Sequence, residues 1–419
     1  MSAESCDGRG PPGRERGWIF GLLIAPYGVL LQGIVQGGVL GYLLSRQGAG
    51  SARQAELIAI LSLPTSLYFL WSPLTDFFVS RRTWLIGSAL LAASLLGVSL
   101  EQPRLSSTAT VILLFLAACC AQLIVSSAGG MMGAVHSERT RRIASNLYQA
   151  GALGFGALSA WALIYLDPRV SRNSLALIAA ALVGFPALVA LAAPAQKPIS
   201  DSTLMATMRR VSSEFKATFF RWDALPYIAC CTFPMASGAA IGLLPGVADQ
   251  YGVNGDHVAW INGLLGGILT AAGAAAMPLI RIRMRAPVLY VIVALVNCAC
   301  LSVLALGPMR PHTYYIGAPL YLFTIGSAYG MFTTVVLEFL GKSGKSGSTR
   351  YSIINSLGNL PVLYMLQVDG WGAEHWGGRG LAGAEALVGG IGALALLAWL
   401  MIQGVGRATL ASVPAVVVE

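Results

Sequence analysis

Charged residues are scarce in this chain of 419 residues. Only 11% of the residues are Asp, Glu, Lys or Arg, while 56% are hydrophobic, and a soluble globular domain has about 25% charged residues. The mean hydropathy is +0.69. This composition excludes a soluble domain. Because apolar runs of about 20 residues recur along the chain and can each cross a hydrocarbon core, it indicates a polytopic α-helical membrane protein.

The seven cysteines do not form the pattern of a disulfide framework. Thiols inside membrane spans are kept away from the oxidising side, and neighbouring cysteines on a helix point about 100° apart, which suits packing better than metal binding. We therefore predict small core residues and no metal site. Cys6 lies in the polar N-terminal stretch, and the others lie in apolar runs: Cys119, Cys120, Cys230, Cys231, Cys298 and Cys300.

Motifs for catalysis and for cofactor binding are also absent from the sequence. Segment 341–346, Gly-Lys-Ser-Gly-Lys-Ser, invites comparison with a phosphate-binding loop, but Val336 and Phe339 occupy the two positions where that motif needs its first glycine. No His-x-x-His, Ser-His-Asp or carboxylate pair indicates an active site. We predict that the protein is not an enzyme, needs no cofactor and, because its basic residues lie in short loops, does not bind nucleic acid.

Twelve apolar runs are present, each near the length that a bilayer requires. They predict spans over residues 18–44, 55–75, 84–100, 108–134, 143–166, 174–194, 224–248, 257–280, 287–306, 314–340, 350–368 and 381–403. Residues 1–17, rich in Gly, Pro and charge, predict a disordered cytoplasmic tail, and residues 404–419 a second tail. The first run is too long for a signal peptide, so we expect an uncleaved span.

The basic residues predict the orientation of these spans. Of the 27 Lys and Arg residues, 20 lie in the N-terminal tail, the even-numbered connections and the C-terminal tail, and 7 lie in the odd-numbered connections. Cytoplasmic loops carry the excess of positive charge. Both termini are therefore predicted to be cytoplasmic.

The longest connection, residues 195–223, divides the chain into two equal sets of six spans. We predict an N-terminal six-helix half over 18–194, a cytoplasmic linker over 195–223 and a C-terminal six-helix half over 224–403. Two such halves are an arrangement typical of secondary transporters with internal repeats.

One short loop joins the second and third predicted spans and carries an acid and two arginines. Segment 69–76 reads Phe-Leu-Trp-Ser-Pro-Leu-Thr-Asp, and Arg81, Arg82 and Trp84 follow closely after Asp76. An acid at a span end needs a partner. The segment resembles the corresponding loop of the major facilitator superfamily, and it is most similar to the AmpG-type muropeptide permeases with their acetyl-CoA-transporter and siderophore-permease relatives.

Two further stretches carry the same resemblance. Glu138 and Arg139, followed by Asn-Leu-Tyr-Gln-Ala-Gly at 146–151, are similar to the family's Glu-Arg-Gly and Gly-Tyr-Arg before the fifth helix. Segment 351–359, Tyr-Ser-Ile-Ile-Asn-Ser-Leu-Gly-Asn, is similar to the family's Gln-Tyr-Ala-x-x-Ser-Ser-x before the eleventh. The resemblance implies twelve helices in two halves, and it implies gating by the acids and arginines near these loops: Asp76, Arg81, Arg82, Glu138, Arg139, Arg141 and Arg142.

Polar residues inside the predicted spans indicate a water-filled path. Amides in hydrocarbon must find partners or water, although bonds between packed helices account for such residues about as well when each is taken alone. As a set on helices of both halves they favour a shared central cavity. The predicted substrate-cavity residues are Gln32, Gln36, Gln122, Asn146, Gln149, Tyr329, Asn355 and Asn359.

Few acids lie at membrane depth in the predicted layout. Glu338 near the end of the tenth span and Asp249 near the end of the seventh are the candidates for proton coupling. No obvious acid lies at the centre of a span, which argues against assuming symport from the residues alone.

Together these patterns predict a secondary active transporter that moves a small polar or amphiphilic solute by alternating access. The resemblance implies proton-coupled import of a muropeptide-, siderophore- or acyl-CoA-like substrate across a bacterial-type inner membrane, by a monomer. An exporter of drugs or small metabolites is the alternative within transport. A sensor or assembly partner that keeps the fold without transporting is the alternative outside it.

Overall fold

A computed structural model describes residues 18–76, 78–133, 138–193, 222–277, 284–340 and 347–403, with a few separate positions between 205 and 220. Every element in these ranges is a helix. Helices are the expected outcome, because a chain in hydrocarbon must satisfy its backbone hydrogen bonds within each segment. The predicted linker 195–223 and the tails 1–17 and 404–419 lie wholly or mostly outside the described residues.

The first half consists of six successive helical segments. The first is α1 (Ile19–Leu23), α2 (Ala25–Tyr27), a π-helical stretch (Gly28–Val35) and α3 (Val39–Arg46). The second is α4 (Ser51–Ser66), α5 (Tyr68–Trp71) and a 3₁₀ turn (Ser72–Asp76). Then follow α6 (Arg81–Glu101), α7 (Thr108–Gly133), α8 (Glu138–Leu166) and α9 (Arg172–Ala187), which a 3₁₀ turn extends over Leu188–Ala192.

The second half is the helical part of the chain from Trp222 to Gln403. It begins with a 3₁₀ turn (Trp222–Ala224), α10 (Leu225–Thr232), α11 (Ala239–Val247) and another 3₁₀ turn (Ala248–Tyr251). Next are α12 (Gly255–Val258), a π-helical stretch (Ala259–Leu265) and α13 (Gly266–Ala276). The remaining helices are α14 (Ala286–Leu306), α15 (Pro311–Leu340), α16 (Gly347–Gly358) and α17 (Leu360–Ile402).

Many of these helices could cross a bilayer. Eight are long and apolar enough within the described ranges, and the number rises to ten if each of two bent pairs is one span. The bent pairs are Ile19–Val35 with Val39–Arg46, at 40°, and Ser51–Ser66 with Tyr68–Thr75, at 47°. The chain is therefore an all-helical polytopic membrane protein, as its composition predicts.

Helix α17 is a helical hairpin. Trp376 and Gly377 have non-helical backbone angles, with φ of −132° and +62°. The arms on either side pack on each other, since a Cβ placed on Gly372 would lie 2.8 Å from the Cβ of Ala384. The predicted span 350–368 covers most of α16 and the start of the first arm, and the predicted span 381–403 covers the second arm. The helical backbone continues through most of the predicted connection 369–380.

The leading segment of each half breaks at a glycine with left-handed backbone angles. Gly38 has φ +94° before α3, and Gly238 has φ +77° before α11. A side chain at either position would be strained. A Cβ on Gly38 would also collide with the Pro245 ring on α11, so the two broken segments touch each other near their breaks.

The two ends of the bundle differ in the residues that join the halves. At the end that contains Arg46 (the Arg46 end), α3 packs closely on α11, because a Cβ on Gly41 would collide with the carbonyl of Gly242. At the same end the first arm of α17 packs on α4. At the opposite end, which contains Arg81 (the Arg81 end), α5 contacts α16.

Candidate functional site

A line of polar side chains runs through the interior of the first half. The π-helical stretch carries Gln32, whose amide donates to the Tyr27 hydroxyl at 3.4 Å and to the Gln36 carbonyl oxygen at 3.2 Å. The Gln36 amide donates to Ser62 on α4 at 3.3 Å. One turn further along α4, Thr65 accepts a hydrogen bond of 3.2 Å from Gln122 on α7. The structure thus connects three of the predicted cavity residues through α4.

Beside this line, three buried hydroxyl groups have no hydrogen-bond partner. They belong to Ser66 on α4 and to Ser126 and Ser127 on α7. Ser126 lies one helical turn from Gln122, and Ser66 follows Thr65. Buried polar groups are normally satisfied by protein or by ordered water. These three hydroxyl groups can therefore form hydrogen bonds with a polar solute or with water.

The predicted cavity residues of the second half lie near the other broken segment. Asn359 donates to the backbone carbonyl of Asn355 at 2.8 Å, one turn earlier. Ser356, between them, accepts from the Phe69 backbone N–H at 3.2 Å and so joins the halves. Tyr329 lies against Gly238, where a Cβ would collide with its hydroxyl, so the left-handed glycine provides the space for the tyrosine.

Two of the predicted cavity residues lie on α8. Gln149 is exposed. Asn146 lies on α8, but its side chain lies outside the described residues.

The predicted gating residues lie at the Arg81 end. Arg81 begins α6 and donates to the carbonyl of Gly130 on α7, while Arg82 donates to the carbonyl of Ala193 at 3.4 Å. Guanidinium groups at these carbonyls fasten the C-terminal ends of neighbouring helical segments, where the helix dipole is negative. The side chains of the other gating candidates lie outside the described residues: Asp76, Glu138, Arg139, Arg141 and Arg142.

At the Arg46 end, charged groups join the two halves. Arg169 in the first half pairs with Asp256 in the second at 2.8 Å, and Glu374 accepts the backbone N–H of Ala52 at 3.1 Å. Asp167 lines a cavity of about 200 Å³ with Arg46 and Arg172. Burial raises the pKa of the Asp167 carboxyl group, an effect that the two arginines only partly offset.

The structure places the two proton-coupling candidates differently. Glu338 accepts from the Tyr227 hydroxyl at 2.8 Å and from the Ala286 backbone N–H at 3.0 Å, with Arg285 at 3.5 Å. It therefore caps α14 and lies in an ion pair at the Arg81 end. Asp249 is exposed in the 3₁₀ turn at the Arg46 end.

Two buried acids were missed by the reasoning from sequence. Asp369 is 0% exposed and Glu385 is 3% exposed, both on α17. Asp369 falls within the predicted connection 369–380, and Glu385 lies in the predicted twelfth span but was not selected as a candidate. The signal that could have found Glu385 is an acid four residues inside an apolar run. Among the described residues, no group of three or more His, Cys, Asp and Glu side chains could hold a metal ion.

Comparison with known protein families identifies the superfamily of this chain. The family model of the Major Facilitator Superfamily matches residues 31–364. The chain belongs to the Major Facilitator Superfamily. No curated protein sequence matches it.

Solved structures of other superfamily transporters share the fold. A peptide transporter, POT, in complex with sulfate has a TM-score of 0.67 at 14% identity, covering 96% of this chain and 97% of its own. A D-xylose-proton symporter has 0.67 at 12% identity, with 91% and 95% covered. A nucleoside transporter, NupG, has 0.65 at 12% identity, with 94% and 99% covered. At such identities the likeness concerns the fold, and the superfamily and fold point to a transporter rather than an enzyme.

Proposed function

We propose that this superfamily member is a secondary active transporter that moves a small polar or amphiphilic solute between the two ends of the bundle. The observation that carries the proposal is the polar line Tyr27–Gln32–Gln36–Ser62, continued by Thr65 and Gln122, with unpartnered hydroxyls beside it. Polar groups of this density inside a membrane helix bundle mark a substrate path. The solute would lie between this line and the predicted residues of α8, α15 and α16.

Alternating access would use the two broken segments. The breaks at Gly38 and Gly238 divide the leading helix of each half, and discontinuous helices at a repeat interface are the usual setting of transporter binding sites. Rocking of one half against the other would separate α3 from α11 at the Arg46 end. At the Arg81 end, Arg81, Arg82 and the acids and arginines near Asp76 and Glu138 would hold the alternate closed state.

We further propose the twelve-span layout, with both termini in the cytoplasm. In this layout the two arms of α17 belong to two different spans, and α10 and α11 together form one broken span. The bias of 20 basic residues against 7 supports the orientation. The Arg81 end would then face the cytoplasm, and the membrane would be a bacterial-type inner membrane.

The proposed transport is proton-coupled import of a muropeptide-, siderophore- or acyl-CoA-like solute, by a monomer. The motif around Asp76 supports this substrate group, because it resembles the AmpG-type permeases more closely than the general facilitator loop. A proton symporter for D-xylose is among the proteins with a similar fold. Export of drugs or small metabolites is the second candidate, because the same site could serve either direction.

A ligand screen tests the proposal. Purified protein would be heated with a muropeptide, a siderophore or an acyl-CoA, since a ligand that binds the folded state raises the unfolding temperature. One class should stabilise the wild type, and Gln122→Ala should abolish most of that shift while the exposed Gln403→Ala retains it. A shift that survives Gln122→Ala would contradict the assigned path. No shift with any class would contradict the substrate group.

A further inference from the structure

Two acids are buried together in the second half, one on each arm of α17. Asp369 is 0% exposed and Glu385 is 3% exposed. Asp369 lies one turn before Gly372, and Glu385 follows Ala384, which packs against Gly372 across the hairpin. The hairpin therefore brings the two carboxyl groups close together, and the charge of Glu385 acts on Asp369.

Glu385 lies in a site that suits an anion. Its Oε1 accepts from the Ser237 hydroxyl at 3.0 Å and the Tyr321 hydroxyl at 3.2 Å, and its Oε2 accepts from the Ala240 backbone N–H at 2.8 Å. Ala240 is in the first turn of α11, and this helix begins directly after Gly238, which has left-handed backbone angles. A carboxylate that accepts several hydrogen bonds at a helix N-terminus is stabilised in its charged form.

Asp369 lies in the opposite kind of site. Neither of its carboxyl oxygens has a hydrogen-bond partner, and within the described residues neither acid forms an ion pair. An ionised carboxylate without partners is costly to bury, and a second negative charge beside Glu385 adds repulsion. Two neighbouring carboxyl groups whose surroundings differ in this way separate into one proton carrier and one anion.

We propose that Asp369 carries a proton and that Glu385 is its anionic partner. The bond in question is O–H on an Asp369 carboxyl oxygen, and the proton is exchanged with water admitted from one end of the bundle. This inference deepens the proposed transport function, and rests on it only for the claim that the proton is coupled to solute movement.

The position of Asp369 connects protonation to the contact between the halves. The next residue, Gly370, packs on α4 of the first half so tightly that a Cβ would collide with that of Ala55 and would lie 3.3 Å from the Ala52 Cα. Glu385 meanwhile fastens α11 and α15 through its hydrogen bonds. Loss of the Asp369 proton would place two negative charges in this packed region, and would favour separation of α17 from α4 with entry of water.

The other titratable groups around the pair are neutral. Tyr321 and Tyr329 on α15 and Cys298 on α14 interact electrostatically with Glu385. In the part of the chain that the structure describes, no lysine or arginine contacts either carboxyl. A change of charge in this region near neutral pH is therefore assigned to the Asp369 carboxyl group.

Infrared difference spectroscopy of the purified full chain tests the assignment directly. A protonated carboxyl group in an apolar site should give a C=O stretching band that persists at neutral pH and shifts in heavy water. Carbon-13 labelling of the aspartate carboxyl groups should move this band, and labelling of the glutamate carboxyl groups should not. This arm needs no variant and so does not depend on whether a substitution folds.

Three variants test whether the infrared band belongs to Asp369. Asp369→Asn should abolish the band, whereas Glu385→Gln and the control Glu101→Gln, at an exposed position of α6, should retain it. Absence of the band from the wild type would overturn the proposal. A band that follows the glutamate label, or that Glu385→Gln removes while Asp369→Asn does not, would assign the proton to Glu385 and would also overturn it.

Hydrogen exchange measured by mass spectrometry tests the link to the contact between halves. After correction for the intrinsic exchange rate, peptides over 51–66 and 366–376 should lose protection as the pH rises in the wild type and in Glu101→Gln. Asp369→Asn should not show this change. Neither measurement uses a solute, so failure of the ligand screen with these results intact would overturn the proposed substrate group alone. The reverse outcome would overturn this inference alone.

Discussion

Glu338 and Asp369 represent two ways in which this chain accommodates a carboxyl group within a helix bundle. Glu338 is half-buried and has three partners, namely the Tyr227 hydroxyl, the Ala286 N–H and the Arg285 guanidinium. Asp369 is fully buried and has no hydrogen-bond partner for either oxygen. The first arrangement stabilises a charge and holds helix ends together, whereas the second favours a neutral acid.

The contacts of Glu338 indicate that this side chain stabilises the fold. Glu338→Ala should lower the free energy of unfolding by about 1–3 kcal/mol, because hydrogen bonds to a charged group are lost and the N-terminus of α14 loses its cap. The matched control is Glu56→Ala, which breaks the exposed pair with Arg53 and should cost about 0.2–1 kcal/mol. Thermal unfolding in detergent measures both. Equal losses would contradict the capping role.

The buried Asp167 carboxyl group should make the stability of the folded protein depend on pH. Burial raises the pKa of this carboxyl group above its ordinary 3.8, so the folded protein binds the proton more tightly than the unfolded chain does. The stability that this group contributes is full below pH 3.8 and is lost as the pH rises through the folded value. The wild type should therefore lose stability relative to Asp167→Asn between acid and neutral pH.

Unfolding temperatures of the wild type and Asp167→Asn across that range give the measurement. A constant difference between the two proteins, or a relative gain by the wild type as the pH rises, would contradict the assigned cause. The exposed control Asp249→Asn should show no such trend.

At the scale of helices, small residues allow the backbones to approach closely. α13 and α15 cross where a Cβ on Gly273 would collide with the Phe323 carbonyl and a Cβ on Gly326 would collide with the Thr270 carbonyl. Association of helices in a membrane depends on such packing, since lipid is as apolar as the side chains. The crossing therefore fixes how α13 and α15 pack on each other.

Gly326→Ala should destabilise the protein by about 1–3 kcal/mol, the usual cost of overpacking. The control is Gly87→Ala on α6, where a Cβ meets nothing within 4 Å and the better helix propensity of alanine favours the variant by up to about 1 kcal/mol. Thermal unfolding of both variants in detergent gives the comparison. Equal behaviour of the two would contradict the proposed crossing.

Much of this element plan could be predicted from sequence, because apolar length and charge periodicity are local properties. The helical continuation through 369–380 could not, since Gly370, Gly372, Gly378 and Gly380 are typical of a loop when the sequence is considered alone. Tight packing on α4 and between the arms makes these four glycines helical instead, so Asp369 lies in a helix and not in a connection. For the predicted cavity residues, hydrogen bonds connect Gln32, Gln36 and Gln122 through α4, but these partners depend on contacts between distant helices that the sequence does not show.

At the scale of the whole molecule, contacts between the halves occur at both ends. At the Arg46 end they comprise the pair Arg169–Asp256, the close approach of Gly41 and Gly242, and the contact of α17 with α4. At the Arg81 end they include the hydrogen bond from Phe69 to Ser356. Transport by rocking requires that at least the Arg46 contacts separate during each cycle.

The most direct test of the account is a reversible crosslink across the Arg46 end. Arg169→Cys and Asp256→Cys would be combined and joined with a reducible bifunctional thiol reagent, in proteoliposomes that take up the solute identified by the ligand screen under an inward proton gradient. The control joins Arg53→Cys to Glu56→Cys, both on α4. We predict that the crosslink between halves abolishes uptake, that reduction restores it and that the control crosslink has little effect. Undiminished uptake with the halves joined at this end would contradict alternating access.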